Sequence, residues 1–132
     1  MDSLQIKTGQ VSLRILDDEG NERGIFKFNP EDIESAKKVI ELQDKLVASE
    51  EAFAERCKDC KTAEEQLALL TETIDYYKSI IDECFGEGTS QLVFGDAHTL
   101  SMFGDFIEGI TPYYKKASEK RTAKYRKQPA KE

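Results

Sequence analysis

Two cysteines three apart, in 57-CKDC-60, are the first residues whose type and spacing could do chemistry. A C-x-x-C pair exchanges thiols when it opens a helix after a strand, because the helix dipole there lowers the thiol pKa. Here the pair follows a long helical pattern and stands at a helix C-terminus, where the dipole acts the other way. Zinc would take four ligands. Only Cys84 and His98 remain to complete a Cys3His set, and the spacing matches no zinc motif. The pair therefore reads as two partly buried thiols at a helix turn. A second candidate is the glycine-marked stretch 85-FGEGTSQLVFGDAHTL-100. Gly86 and Gly88 begin like a dinucleotide loop, but Gln91 stands where the third glycine belongs, and a helical pattern rather than a strand precedes it. The Gly-Lys-Ser or Gly-Lys-Thr of a phosphate loop is absent as well. The stretch reads as a structural joint, a helix stop followed by a tight turn. His98 is the single histidine, so one chain builds neither a triad nor a histidine cluster. Beside Asp96 it reads as a helix entrance that Asp96 caps. The acidic run 49-SEEAFAE-55 lies among lysines on helix faces, with no carboxylate pair set apart as acid and base. The residues point to no catalytic, cofactor or metal site.

Those side chains depend on the elements that hold them. Residues 4-LQIKTGQVSLRIL-16 alternate apolar and polar, most cleanly at Val11, Leu13 and Ile15, which predicts a half-buried strand. Turn residues 17-DDEGNERG-24 and the run 25-IFKF-28 complete a β-hairpin, with Gly9 marking a bulge or a further turn. Asn29 then reads as the N-cap of a helix over about residues 30–58. Pro30 takes its first position, and Glu31 and Asp32 face the positive end of its dipole. The apolar stripe is Val39, Leu42, Leu46 and Phe53, with Ile33, Ala36, Ile40 and Val47 beside it. A capping box in 62-TAEE-65 opens a second helix. Its residues Ala63, Leu67, Leu70, Ile74, Tyr77, Ile81 and Cys84 form a heptad seam that asks for a facing helix. The connection 58-KDCK-61 permits either a folded-back hairpin or one continuous rod. Gly86 and Gly88 stop this helix, and 90-SQLVF-94 is a short helical turn closing at Gly95. Asp96 or Thr99 caps a last helix with the stripe Leu100, Phe103, Phe106 or Ile107, Ile110, Tyr114 and Ala117. Gly109 and Pro112 predict a weak point or kink near 108-EGITP-112. Beyond Tyr114 the apolar content falls away, and residues 1–117 are expected as one domain with 118–132 as a basic, frayed tail. The fold class is α+β, mostly α: an N-terminal β-hairpin packed on about three longer helices plus a short helical turn.

A chain of 132 residues, 39% hydrophobic and 34% charged, suits one domain with a modest core beneath a strongly solvated surface. No apolar run approaches the roughly 20 residues that span a bilayer. The N-terminus lacks the basic-then-apolar order of a signal peptide, which predicts a chain that stays in the cytosol. Three cysteines suit a reducing compartment better than a disulfide framework. Residues 1–114 hold 11 basic and 24 acidic side chains, net −13, whereas 115–132 hold 8 basic and 2 acidic, net +6. The acidic body should repel nucleic acid and anionic membranes. The basic tail could attract either, although lysine and arginine at a helix end also complement its dipole.

Adjacent tyrosines cannot both face inward on a helix. One of Tyr76 and Tyr77, and one of Tyr113 and Tyr114, should be exposed and free to anchor a protein interface. With Phe103 these four are the candidate partner-binding residues. The run 79-SIIDECFGEGTSQLVFGDAHTLSMFGDFIEGI-110 resembles a family of small proteins from phages and prophages of Gram-positive bacteria. In that family a helix ends in F-G-E-G-T, a short turn closes on F-G, and a final amphipathic helix follows. The matching residues are Phe85, Gly86, Glu87, Gly88 and Thr89, then Phe94 and Gly95. The segment 25-IFKFNPEDIESAKK-38 is similar to the family's opening. The resemblance covers roughly residues 25–115, and neither the basic tail nor the residues before 25 have a counterpart in it. It implies a non-catalytic tail-assembly chaperone, without a cofactor, that binds the tape-measure protein through apolar helix contacts and helps to recruit the tail-tube protein. It implies further a homo-oligomer or multicopy coat, located in the bacterial host cytoplasm and absent from the mature virion. A reading from a different class is a phage counter-defence protein whose acidic body mimics nucleic acid and blocks a host nuclease.

Overall fold

The computed structural model describes residues 1–127. Strands β1 (Val11–Leu16) and β2 (Glu22–Phe28) pair antiparallel, and helices α1 (Ile33–Cys57), α2 (Ala63–Phe85), α3 (Thr89–Phe94) and α4 (Ser101–Lys127) follow. This is the α+β, mostly helical arrangement that the sequence implies. Among the described residues no helix is long and apolar enough to cross a membrane.

The hairpin turn is held by Asp17, whose carboxylate accepts from the Glu19 and Asn21 amides at 3.0 and 2.9 Å. β2 begins at Glu22, inside the segment expected as turn, because Leu16 pairs with Glu22 and Ile15 with Gly24 across an irregularity in register. β1 is shorter than the alternation from residue 4 suggests. Val11 already pairs with Phe28, and there the partner chain turns away toward α1, so residues 4–10 have no strand opposite them. Asn29 causes that turn. Its side-chain oxygen accepts from the Glu31 and Asp32 amides at 3.0 and 3.2 Å, which holds residues 29–32 as a turn ahead of the helix. Asp32, not Asn29, is then the N-cap residue, and α1 starts three residues later than expected.

Helices α1 and α2 fold back on each other. Ion pairs Arg56–Glu72 at 3.0 Å and Lys45–Glu83 at 3.2 Å match later positions of one helix with earlier positions of the other. Exposed pairs of this kind contribute little to stability; here they report the antiparallel direction. At the start of α2, Thr62 accepts from the Glu65 amide at 3.1 Å as the capping box requires. The Glu65 carboxylate reaches one residue further back, to the Lys61 amide at 3.2 Å. The heptad seam is covered only in its second half: Ile74, Tyr77 and Ile81 are buried, whereas Leu67 is 62% exposed. α1 meets this half of the seam at Tyr77 and Cys84, and also a neighbouring face at Thr73 and Ile80.

α4 crosses Gly109 and Pro112 without ending. The Thr111 hydroxyl donates to the Ile107 carbonyl at 2.6 Å, one residue before the carbonyl that Pro112 leaves without its helical donor. The helix also continues through residues 118–127, which were expected to fray. Arg121 donates to the carbonyls of Pro30 and Glu31 at 3.3 and 3.5 Å, and Lys120 reaches Glu31. That anchors the end of α4 on the entry to α1. Residues 128–132 of the expected tail lie outside the described residues.

The core joins all these elements around Phe26, Phe28, Leu42, Ile81, Phe94 and Phe106. Where β2 meets α3 the approach is close: a Cβ on Gly24 would lie 2.6 Å from Leu92 Cδ1. Replacing Gly24 by valine should cost about 1–3 kcal/mol through overpacking, read from urea denaturation. A loss under 0.5 kcal/mol would contradict this close packing.

Candidate functional site

The F-G-E-G-T stretch builds a joint rather than a binding loop. Gly86 and Gly88 both hold positive φ, at 118° and 90°, and carry the chain from α2 into α3. Two side chains of α2 then bracket α3. Asp82 accepts from the Ser90 amide at 2.8 Å and from its hydroxyl at 3.1 Å, while Lys78 donates to the Gly95 carbonyl at 3.3 Å. A carboxylate sits on the positive end of α3 and an ammonium on the negative end, which suits the helix dipole. An incoming phosphate would have to displace Asp82, so the glycines serve geometry. Thr89, Ser90 and Phe94 are buried. The Phe94 ring lies 4.8 Å from Phe103 and 5.7 Å from Phe106, which sets where α4 begins. Phe85 meets Phe106 edge-on at 5.6 Å. The carboxylate of Asp96 accepts from Gln91 at 3.2 Å instead of capping α4.

That placement of α4 opens a groove. α1 and α4 flank it and α2 forms its floor, enclosing about 630 Å³. Leu46 and Phe53 of α1, Tyr77 of α2, and Phe103 and Ile107 of α4 make it apolar. Gly104 contributes no side chain. Val47 on one rim is 55% exposed and Leu100, just ahead of α4, is 40% exposed. Gln43 and Glu50 supply polar groups at the edge. Thr73 also lines the floor, but its hydroxyl already donates to the Leu69 carbonyl at 2.9 Å. Water alone is a poor occupant of such a surface, and an apolar helix a good one.

The five expected partner residues divide between two places. Tyr77 and Phe103 lie in the groove, ring against ring at 5.1 Å and 86°. Both are buried, at 5% and 4% exposure, and burial pushes the Tyr77 phenol up. Tyr76 is 43% exposed beside it. Tyr113 and Tyr114 lie at the hairpin end instead, where both pack on Phe28. Tyr114 is fixed there by a 2.7 Å hydrogen bond with Ser35, and burial raises its phenol pKa as well. Tyr76 and Tyr113 are the exposed members of their pairs, as helix geometry demands.

The thiols and the histidine are spread out. Cys57 and Cys60 are half-buried and free at the α1–α2 turn, and burial raises the Cys60 thiol. Cys84 lies between α2 and α1, near Lys38, Glu41 and Lys45, and burial pushes its thiol up to about 11. His98 bonds to Asp75 at 3.0 Å and to the Asp96 carbonyl at 3.1 Å, tying the loop before α4 to α2. Among the described residues no three His, Cys, Asp or Glu side chains are placed to hold a metal ion.

Sequence patterning named the apolar lining residues on their separate stripes, Leu46, Val47, Phe53, Tyr77, Leu100, Phe103 and Ile107, but not the groove that joins them. Val47 reads as part of an inward stripe, and Gln43, Glu50 and Gly104 carry no signal of their own. The one available clue was a heptad seam longer than the helices present could cover. Residues 21–132 match a family described as a family of unknown function (DUF6673), and the chain belongs to that family. The matched span includes the joint and all three walls of the groove. No curated protein and no solved structure matches the chain.

Two outcomes test this geometry. Asp82→Ala should destabilise by about 1–2 kcal/mol, as loss of a helix cap does, and Asp82→Asn should recover part of that; chemical denaturation separates the two. With its pKa near 11, Cys84 should alkylate at pH 8 on the order of 100-fold more slowly in the folded chain than in urea. Mass mapping of modified peptides reads this directly, and equal rates would refute the burial.

Proposed function

We propose that this member of a family of unknown function is a non-catalytic chaperone that holds an apolar helical segment of a longer protein in the groove between α1, α2 and α4. The observation that carries the reading is the groove itself: three helical walls, apolar floor residues, and the apolar rim residues Val47 and Leu100 turned to solvent. A fourth helix laid between α1 and α4 would complete a bundle and bury the surface those two leave apart. Anchors at i, i+3, i+4 and i+7 on such a helix would match Leu46, Phe53, Tyr77 and Phe103. Glu50 and Gln43 at the edge favour a client helix flanked by basic or amide side chains.

The resemblance of the Phe85–Thr89 joint to that of phage tail-assembly proteins supports a specific client, the tape-measure protein, with the tail-tube protein as a further partner. A tape-measure protein presents long apolar stripes before the tube surrounds it. Many acidic copies, each net −7, would keep such a stripe soluble without clumping among themselves. Nucleic-acid mimicry rests on surface charge instead, and salt separates the two readings.

The double variant Val47→Asp with Leu100→Asp changes only rim residues, so its melting temperature should shift little. Co-expressed with the tape-measure protein, wild type should keep that client in the supernatant, and the double variant should lose most of that effect. Binding by wild type should persist from low to high salt. A client equally soluble with either protein, or equally insoluble with both, would sink the proposal.

A further inference from the structure

We propose that residues 1–7 are an exchange arm, which adds as a third strand to the free edge of β1 in a second copy of the chain and seats Leu4 and Ile6 over the cavity beneath that strand. The first observation concerns the arm. Every residue from Met1 to Thr8 is exposed, and Leu4 and Ile6 stand 85% and 70% exposed. Their i, i+2 spacing puts both side chains on one face of an extended strand, the same spacing as Leu13 and Ile15 on the inner face of β1.

The second observation is the point where the arm leaves the body. The Asn29 side-chain amide donates to the Thr8 carbonyl at 3.0 Å and to its hydroxyl at 3.2 Å. The side chain of Glu31 lies against Gly9, which holds φ at 100°. The chain is thus fixed beside the entry to α1, past the β2 end of the hairpin, and residues 1–7 are all exposed.

The third observation is an acceptor. The sheet has two strands. β2 turns toward α3, with Leu92 over Gly24, whereas the other edge of β1 has no strand beside it among the described residues. Unpaired edges of this kind pair readily with an added strand. Beneath β1 lies an open cavity of about 530 Å³, floored by Val93, Met102, Phe106 and Ile110. Leu13 and Ile15 above it are only half-buried. A strand along this edge would cover all of them.

The occupant follows from the fact that donor and acceptor belong to one chain. Each copy carries an apolar arm without a seat and a seat without an arm, and exchange between copies satisfies both. The client groove uses Phe103, Gly104 and Ile107 of α4, and this cavity uses Met102, Phe106 and Ile110. These are different faces of one helix, so the exchange is independent of the client.

Sedimentation velocity of the full chain alone, over a concentration series, tests the inference without any client. The full chain should associate. Deletion of residues 2–7, and the double variant Leu4→Ser with Ile6→Ser, should both sediment as monomers, with the monomer's melting temperature little changed because Leu4 and Ile6 are largely exposed. A synthetic peptide of residues 1–8 should bind the deleted protein, about tenfold more weakly after Met102→Asp. A full chain that stays monomeric throughout, or association that survives both arm variants, overturns the inference. So does loss of client solubilisation upon arm deletion with self-association intact, which would assign the arm to the client.

Discussion

A two-stranded hairpin is not stable alone in water, and the meeting of Phe26 with Phe85 and Phe106 resolves that constraint for this chain. Phe26 lies 5.2 Å from Phe85 and 5.5 Å from Phe106, so one ring of β2 touches the end of α2 and the second turn of α4. Phe94 of α3 closes the circle through Phe106 at 5.7 Å. Such pairs contribute about 0.5–1.5 kcal/mol each beyond the area they bury, but their consequence here is geometric. The hairpin sits on the joint between α2 and α4, and the joint has its shape because the hairpin rings need a seat there. Asp82 and Lys78, holding α3 by its two ends, keep that seat in register.

The groove is a consequence of the same constraint. With α4 drawn toward β2 and α3, it meets α1 where Tyr114 bonds to Ser35, and the turn ahead of α1 where Arg121 bonds to Pro30. Toward its N-terminus it stands off from α1, and Gly104 adds no side chain that could close the gap. The apolar residues left facing that gap differ from the other exposed ones. Ile33, Ile40 and Leu67 are exposed outside any concave lining, as apolar residues on protein surfaces commonly are. Val47 and Leu100 line one concave surface with a buried aromatic floor, which is the form that anchors a partner.

What the sequence made legible was local. The Thr62 cap, the glycine stops of α2 and the alternation in β1 all act within four residues of their own position, and each is found where patterning puts it. Tyr76 and Tyr113 are exposed because helical period alone forbids burying both members of an adjacent pair. The misplaced features depended on partners distant in sequence. Asn29 reads as a helix cap, yet it also holds Thr8, 21 residues away, and the helix starts later. The tail after Ala117 reads as frayed because its composition is polar, but Arg121 finds backbone carbonyls 90 and 91 positions earlier. The seam of α2 gave the right face for Ile74, Tyr77 and Ile81, and could not say that α4 begins too late to cover Leu67. Asp82 carried no signal at all, since one carboxylate on a helix looks like any other until the glycines fold α3 back upon it.

The two surfaces left open have different physics, and that difference bears on how such a chain could work in many copies. The groove is walled by helices whose backbone bonds are already made, so it offers only apolar contact and shape. An occupant can slide or be replaced by another apolar helix at small cost, which suits a holder that must later give its client up. The β1 edge offers backbone donors and acceptors, and these are satisfied only in register. An occupant there is fixed relative to its neighbour. In the proposed roles, loose contact toward a client and registered contact between copies would together give a coat with defined spacing that still releases what it covers. Were the two reversed, copies would drift along one another while each gripped one segment permanently. Placing the two surfaces on different stripes of α4 would leave client exchange and copy-to-copy order free of each other under the proposed roles.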